Sequence, residues 1–466
     1  MVDALDAAWQ VADVVNNSWS YTSTFADNFL NASYAAAGAA LERGVTEGRD
    51  GLGTVFVFSA GNSRGQGGNV NDHNFQNSPY TFAVAATDSH GAHASFSSPG
   101  SALLVAAPGV SVTTTDGNAG YAAVSGTSFS SPAVAGVVAL MLEANEDLGY
   151  RDVQEILAHT ARLTDAGGGD WQVNGAGLHF SHDYGFGLVD AEAAVRLAET
   201  WTQQSTFATL NTVSATRTQN KAIPDNNVGG VSDQVTIAAT NDLVIDAVEV
   251  EVHLDHTWVG DLQISLISPS GTEAILADRP GGAFNSANDI DFTFSANTFW
   301  GEAAAGTWTL KIADLAAWDV GVLDSWTLDI HGDTVAADSL YVFTNEYGTL
   351  SGADLAQHGT LVDTVGHDTL NLSAVTDGVI LDLKPGAGGT IAGHAFSLGS
   401  GTVIEDVILG AGDDVVTGNN AANTDPPPCV APSFRLVRGL QGRPDGAVVP
   451  TQRRPDQAFP ADHGLT

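Results

Sequence analysis

Cysteine occurs once in 466 residues, at Cys429, so no internal disulfide can form. A secreted chain built this way relies on packing and bound metal for its stability. Basic residues are scarce: 16 Lys and Arg stand against 54 Asp and Glu, a formal net charge of -38. That balance excludes nucleic acid as a natural partner and favours a soluble, calcium-rich, extracellular setting. Long apolar runs are also missing. The run from Ala133 to Leu142 stops at Glu143, short of the roughly 18 residues a membrane span needs. Met1-Val2-Asp3-Ala4 offers neither a basic n-region nor an apolar h-region, so no signal peptide is expected and the start reads as internal. Glycine is plentiful, at 52 residues, which fits turn-rich β structure.

Residues 1 to 203 read as alternating strands and helices. Val11 to Trp19 is expected as a buried strand, Phe29 to Val45 as an Ala-rich helix, and Thr54 to Phe58 as a short strand closed by Ser59-Ala60-Gly61-Asn62. Such alternation predicts a parallel sheet covered by helices, with chemistry at the C-terminal strand ends. A strand-like run from Tyr121 to Val124 enters the corner Gly126-Thr127-Ser128, and the apolar run Ala133 to Leu142 leaves it as a buried helix. A serine there sits at the positive end of a helix dipole, where a nucleophile can generate an oxyanion. The corner alone fits an ordinary Ser/Thr helix cap equally well. Asn62, after Gly61, likewise fits a turn asparagine.

The wider pattern separates these readings. Gly126-Thr127-Ser128-x-Ser130-x-Pro132 resembles the serine motif of the subtilases, the subtilisin-like serine proteases. The resemblance makes Ser128 the nucleophile and Asn62, in Ala60-Gly61-Asn62, the oxyanion-hole donor. It sharpens toward the kexin/furin-like proprotein convertases in Arg43-Gly44-Val45, Val55 to Asn62, Leu142 to Asn145, Tyr150 to Gln154 and His182 to Gly187. It covers residues 9 to 200 and implies a polypeptide substrate, a monomer, and an extracellular bacterial location.

Two departures follow. Subtilases carry their triad in the order Asp, His, Ser, and the matching Asp and His motifs would lie upstream of Asn16-Asn17-Ser18-Trp19. The chain is therefore expected to correspond to the C-terminal part of such a protease. Without a base its serine is a weak nucleophile. His331-Gly332-Asp333 and His358-Gly359-Thr360 superficially resemble the His motif but follow the serine, out of context. Second, furin-type enzymes read basic residues through acidic ones in the cleft. Here Ser20-Tyr21-Thr22-Ser23 carries no acid, and Asp72 with His73 are the candidate substrate-binding pair, with solvated loop residues as the alternative.

Residues 204 to 333 lose helical periodicity, and β-runs recur between turns, predicting an antiparallel sandwich. The blocks His256 to Leu262, Ser268 to Thr272 and Phe299 to Glu302 are similar to the P domain (P/Homo B) that follows convertase catalytic domains. Its Trp and Asp residues are expected in core and turns. Residues 334 to 424 form a β-rich segment. There Gly410-Ala411-Gly412-Asp413-Asp414-Val415-Val416-Thr417-Gly418 resembles one RTX calcium-binding nonapeptide, with Gly410, Gly412 and Asp414 as candidate calcium residues. A plain Gly-Asp surface turn is the alternative. Residues 425 to 466 hold eight of the 16 prolines and should be disordered. The fold class expected is thus multi-domain: an incomplete α/β parallel-sheet subtilisin-like domain, an all-β sandwich P domain, an RTX-like segment and a disordered tail. The function expected is serine endopeptidase, with this chain poorly competent by itself. The alternative is a calcium-dependent extracellular binding or adhesion protein.

Overall fold

The computed structural model describes residues 1–117, 120–283 and 285–421, with the backbone of 434–437. That backbone strand apart, the expected tail, 425–466, lies outside the described residues.

Four strands, β1 (Val14–Asn17), β2 (Val55–Ser59), β3 (Thr81–Thr87) and β4 (Leu103–Pro108), pair in parallel in that spatial order. β2 and β3 are buried at every position. Both faces are covered, so their sequences are continuous apolar runs with no alternation. Among the described residues β1 pairs with β2 alone and is only partly buried; the strand expected from Val11 to Trp19 is shorter and lies at the sheet edge. The helices are α1 (Val2–Trp9), α2 (Ala35–Glu47), α3 (Asn74–Asn77), α4 (Thr127–Ala144), α5 (Tyr150–Thr160) and α6 (Ala191–Glu199).

Helix α4 lies across all four strands and buries Val134, Val137, Val138, Met141 and Leu142. Its opposite face, Ala133, Gly136, Ala139 and Leu140, is exposed, with Leu140 at 55%. The helix expected to be buried is therefore buried on one side only. With 18 residues and a mean hydropathy of 1.3, it is long and apolar enough by length and composition to cross a membrane, contrary to the expectation from the shorter run. Its packing on the sheet is that of a core helix. A hairpin of β5 (Val112–Thr115) and β6 (Tyr121–Val124) leads into it, and a smaller one joins β7 (Gln172–Val173) to β8 (His179–Phe180).

The second region is a sandwich of β9 (Asn211–Ile223), β10 (Asn227–Ile237), β11 (Leu243–His256), β12 (Leu262–Ile267), β13 (Glu273–Asp278), β14 (Ile290–Ala296), β15 (Gly306–Asp314) and β16 (Gly321–Thr334). Its two antiparallel sheets run β10-β15-β12-β13 and β14-β11-β16-β9. Alternate residues such as Val248, Val250 and Val252 point into one core with Trp308 and Trp326. Beyond it, residues 340–342, 369–371 and 406–408 form a small parallel sheet, and 380–382 pairs in parallel with 414–417. Gly410 is needed there: a Cβ would stand 1.9 Å from the Val375 carbonyl oxygen of the neighbouring turn.

Asparagines join the first two regions. Asn71 exchanges hydrogen bonds with the Ser295 backbone, at 2.9 and 3.0 Å, and Asn74 and Asn77 both donate to the Thr293 carbonyl at 2.9 Å. Asn297 returns a bond to the Ala102 carbonyl at 2.9 Å. Beside this seam Arg151, 2% exposed, pairs with Asp246 and, at 2.8 Å, with Asp333.

Candidate active site

Ser128 is the second residue of α4, and three local features place it. Gly126 caps the helix in extended conformation. Asn62, at the end of β2 behind Gly61 (φ +96°), turns its Oδ1 onto the helix start; it accepts from Thr127 N–H at 2.9 Å and Thr127 Oγ1 at 3.0 Å. With its oxygen held, the Asn62 amide NH2 is left to donate elsewhere. Third, Pro132 has no N–H to bond the carbonyl four residues back. The Ser128 carbonyl instead accepts from Ser18 Oγ, just past β1, at 3.0 Å, and that hydroxyl also meets Ser131 Oγ at 3.1 Å. So the ends of β1 and β2 both reach the serine corner, where a parallel sheet puts its chemistry.

Ser128 Oγ is half-buried, with the Ser18 carbonyl at 3.5 Å. Among the described residues no histidine or carboxylate hydrogen-bonds it. His331 is fastened in the sandwich by Thr212 Oγ1 and Glu249 Oε2, each at 2.9 Å, and His358 lies beside Gly177. Neither sits at the serine.

Asp72 and His73, expected to face substrate, are turned inward, at 1% and 8% exposure. A capping box folds the Asp72 carboxylate back onto Asn69 N–H at 3.0 Å, and burial pushes its pKa up to about 7. His73 Nδ1 meets the fully buried Asp27 carboxylate at 2.7 Å. Their loop docks the sandwich through Asn71, Asn74 and Asn77, a role the sequence reading missed; the density of asparagine between Asn69 and Asn77 was its signal. The calcium candidates are also internal to the fold. Asp414 Oδ1 accepts from Val379 N–H at 2.8 Å. Among the described residues no group of three or more His, Cys, Asp or Glu is placed to hold a metal ion.

Residues 2–187 match the Subtilase family model, and residues 245–330 match the Proprotein convertase P-domain. The chain carries a subtilase domain followed by a P-domain. It is 36% identical over 320 residues to proprotein convertase subtilisin/kexin type 6 of Rattus norvegicus, covering 63% of this chain and 33% of that protein. It is 30% identical over 347 residues to protease KEX1 of Kluyveromyces lactis, covering 72% of this chain and 45% of that protein. The chain thus spans about a third of the length of the first of these relatives. A crystal structure of the Aeromonas sobria serine protease with its chaperone superposes with a TM-score of 0.63 at 23% identity, covering 70% of this chain and 72% of that one. That likeness speaks to the fold. The corner described above belongs to the subtilase domain, and the asparagine seam joins it to the P-domain.

Proposed function

We propose that the protein is a serine endopeptidase in which Ser128 attacks the scissile carbonyl of a polypeptide. Asn62 and the Ser128 backbone amide would hold the oxyanion. The observation that carries this is the pair of hydrogen bonds that Thr127 N–H and Oγ1 donate to Asn62 Oδ1, which aims the amide donor before substrate arrives. A histidine must take the Ser128 proton and a carboxylate must orient it. These groups are to come from a segment lying against the free edge of β1 and the exposed face of α4, the open sides nearest the serine. The single cysteine and the charge of -38 favour an extracellular setting.

The test is labelling with a fluorophosphonate, which reports a serine hydroxyl next to an oxyanion hole. The chain alone is expected to react slowly, by about six orders of magnitude relative to a complete triad. Ser128→Ala should remove the label altogether, and Asn62→Ala should slow it by about 100- to 1,000-fold. Labelling that survives Ser128→Ala, as mapped by peptide mass, would overturn the assignment.

A further inference from the structure

A second set of contacts ties the subtilase domain to the P-domain, and one of its members can change charge. The β7–β8 hairpin and the turn after it lie against β13 and the loop before β15. Gln172 Nε2 donates to the Glu273 carbonyl at 2.9 Å, and Asn174 Nδ2 donates to the Thr298 and Trp300 carbonyls, each at 2.9 Å. These side-chain amides do not titrate. His182 completes the row. Its Nε2 accepts a hydrogen bond from the Ile275 N–H of β13 at 3.0 Å. Its own carbonyl accepts from Gly100 N–H at 2.8 Å, just before the seam residue Ala102. Among the described residues β13 is the outer strand of its sheet, and the Ile275 amide is directed at the imidazole.

A backbone N–H can only donate, so Nε2 must be an unprotonated acceptor and the ring proton must sit on Nδ1. The other side of the ring agrees. Asp170 Oδ2 lies 2.6 Å from Nδ1, and Asp170 Oδ1 accepts from the Ser181 hydroxyl at 2.5 Å and from His182 N–H at 3.1 Å. Burial works against its charge, but the bonds from His182 and Ser181 hold the Asp170 carboxyl down at about 2, so it stays ionised. A second ring proton can therefore go only to Nε2. It turns the acceptor into a donor facing the Ile275 N–H, and the bond between the domains is lost while the Asp170 bond remains. The surrounding charged groups are engaged elsewhere. Asp183 pairs with Arg64 and lies 3.7 Å from His93 Nδ1, and Asp165 accepts from the Tyr184 hydroxyl. Glu302 accepts from Gly175, Ser270 and Thr272, and Glu273 and Asp278 of β13 are exposed. Burial holds His179 of β8 down at about 4, so it stays neutral while an ordinary imidazole titrates.

We propose that His182 is a proton-operated clasp between the two domains: its neutral ring holds β13 against the subtilase domain, and its protonated ring releases it. The clasp does not depend on the assignment of Ser128. Overall stability follows the buried carboxyls in the opposite direction with pH, so the readout is local. Hydrogen exchange of the full chain, resolved to single amides by mass spectrometry and corrected for intrinsic rates, is compared at about pH 7.5 and about pH 5.5, across the ordinary imidazole range. The Ile275 amide should lose about tenfold in protection at the lower pH, the worth of one hydrogen bond, while the amides of β15 keep or gain theirs. That contrast is read in the unaltered chain and needs no variant. His182→Gln places a carboxamide that does not titrate at the reach of Nε2, and should leave Ile275 equally protected at both pH values. His182→Asn reaches only as far as Nδ1 and should leave Ile275 poorly protected at both. Protection of Ile275 that does not change with pH in the unaltered chain, or an equal acid loss in His182→Gln, would refute the clasp.

Discussion

In the P-domain each sheet covers the other, so the inward side chains of β11, β12 and β15 pack into one core. In the subtilase domain α4 covers the sheet, yet Ala133, Gly136, Ala139 and Leu140 on its far side are exposed at helical spacing. One region gathers most of its strand apolar residues into a shared core; the other carries a helix composed for two buried faces and buries one. Exposed apolar stripes of this kind mark contact surfaces. The difference separates what each region needs. The P-domain's fold is complete within its own strands, while the serine corner is flanked by an open helix face and an open strand edge.

Trp308→Ala should be the largest break in that contrast, costing about 3–5 kcal/mol in the sandwich core, read as a lower urea midpoint. Arg151→Ala tests the seam between the regions. It strands Asp246 beside Asp333 without their cation, and loss of one member of a buried pair costs about 3–5 kcal/mol. Calorimetry should then show the two regions melting at more widely separated temperatures.

Acidity gives the next effect. Burial raises the Asp246 and Asp152 pKa values to about 6 and Asp72 to about 7, and lifts Glu155 well above its usual value. At these four carboxyls each folded-state value lies above the unfolded one, so they hold more protons in the folded chain between about pH 4 and 7, against the smaller opposite effect of His159 and His179, which burial holds down at about 4. Stability should therefore fall as pH rises through that window. A melting temperature several degrees higher at pH 5 than at pH 7.5 is expected; the reverse order would mean these carboxyls are not buried. The smallest effect sharpens the contrast: Leu140→Asp on the open face should shift stability by less than about 0.5 kcal/mol. A loss above 2 kcal/mol would show that the face is covered in solution.

Local chemistry made the serine corner legible. Gly126-Thr127-Ser128 at a strand-to-helix turn and Asn62 after Gly61 are short-range patterns, and the structure brings them together through Thr127. Strands such as Leu262–Ile267 were equally readable, since burial on one face writes alternation into the sequence. Tertiary contacts were not. The asparagines around Asp72 and His73 mark a docking loop but not which side of it faces β14, so two polar loop residues read as substrate contacts when they are interior. The burial of α4 was overstated because hydrophobicity reports what a helix is made to touch, and half of that surface is open here.

The missing N–H of Pro132 has a mechanical consequence. A serine in an uninterrupted helix takes its position from its own helical ladder. Here the Ser128 carbonyl is anchored to Ser18 beyond the edge strand, so the proposed nucleophile is referenced to the sheet rim. Any tilt or slip of β1 is transmitted to the Ser128 corner, whereas the same displacement at the far end of α4 is not. The alignment of that corner is thereby set by how firmly the edge strand is held.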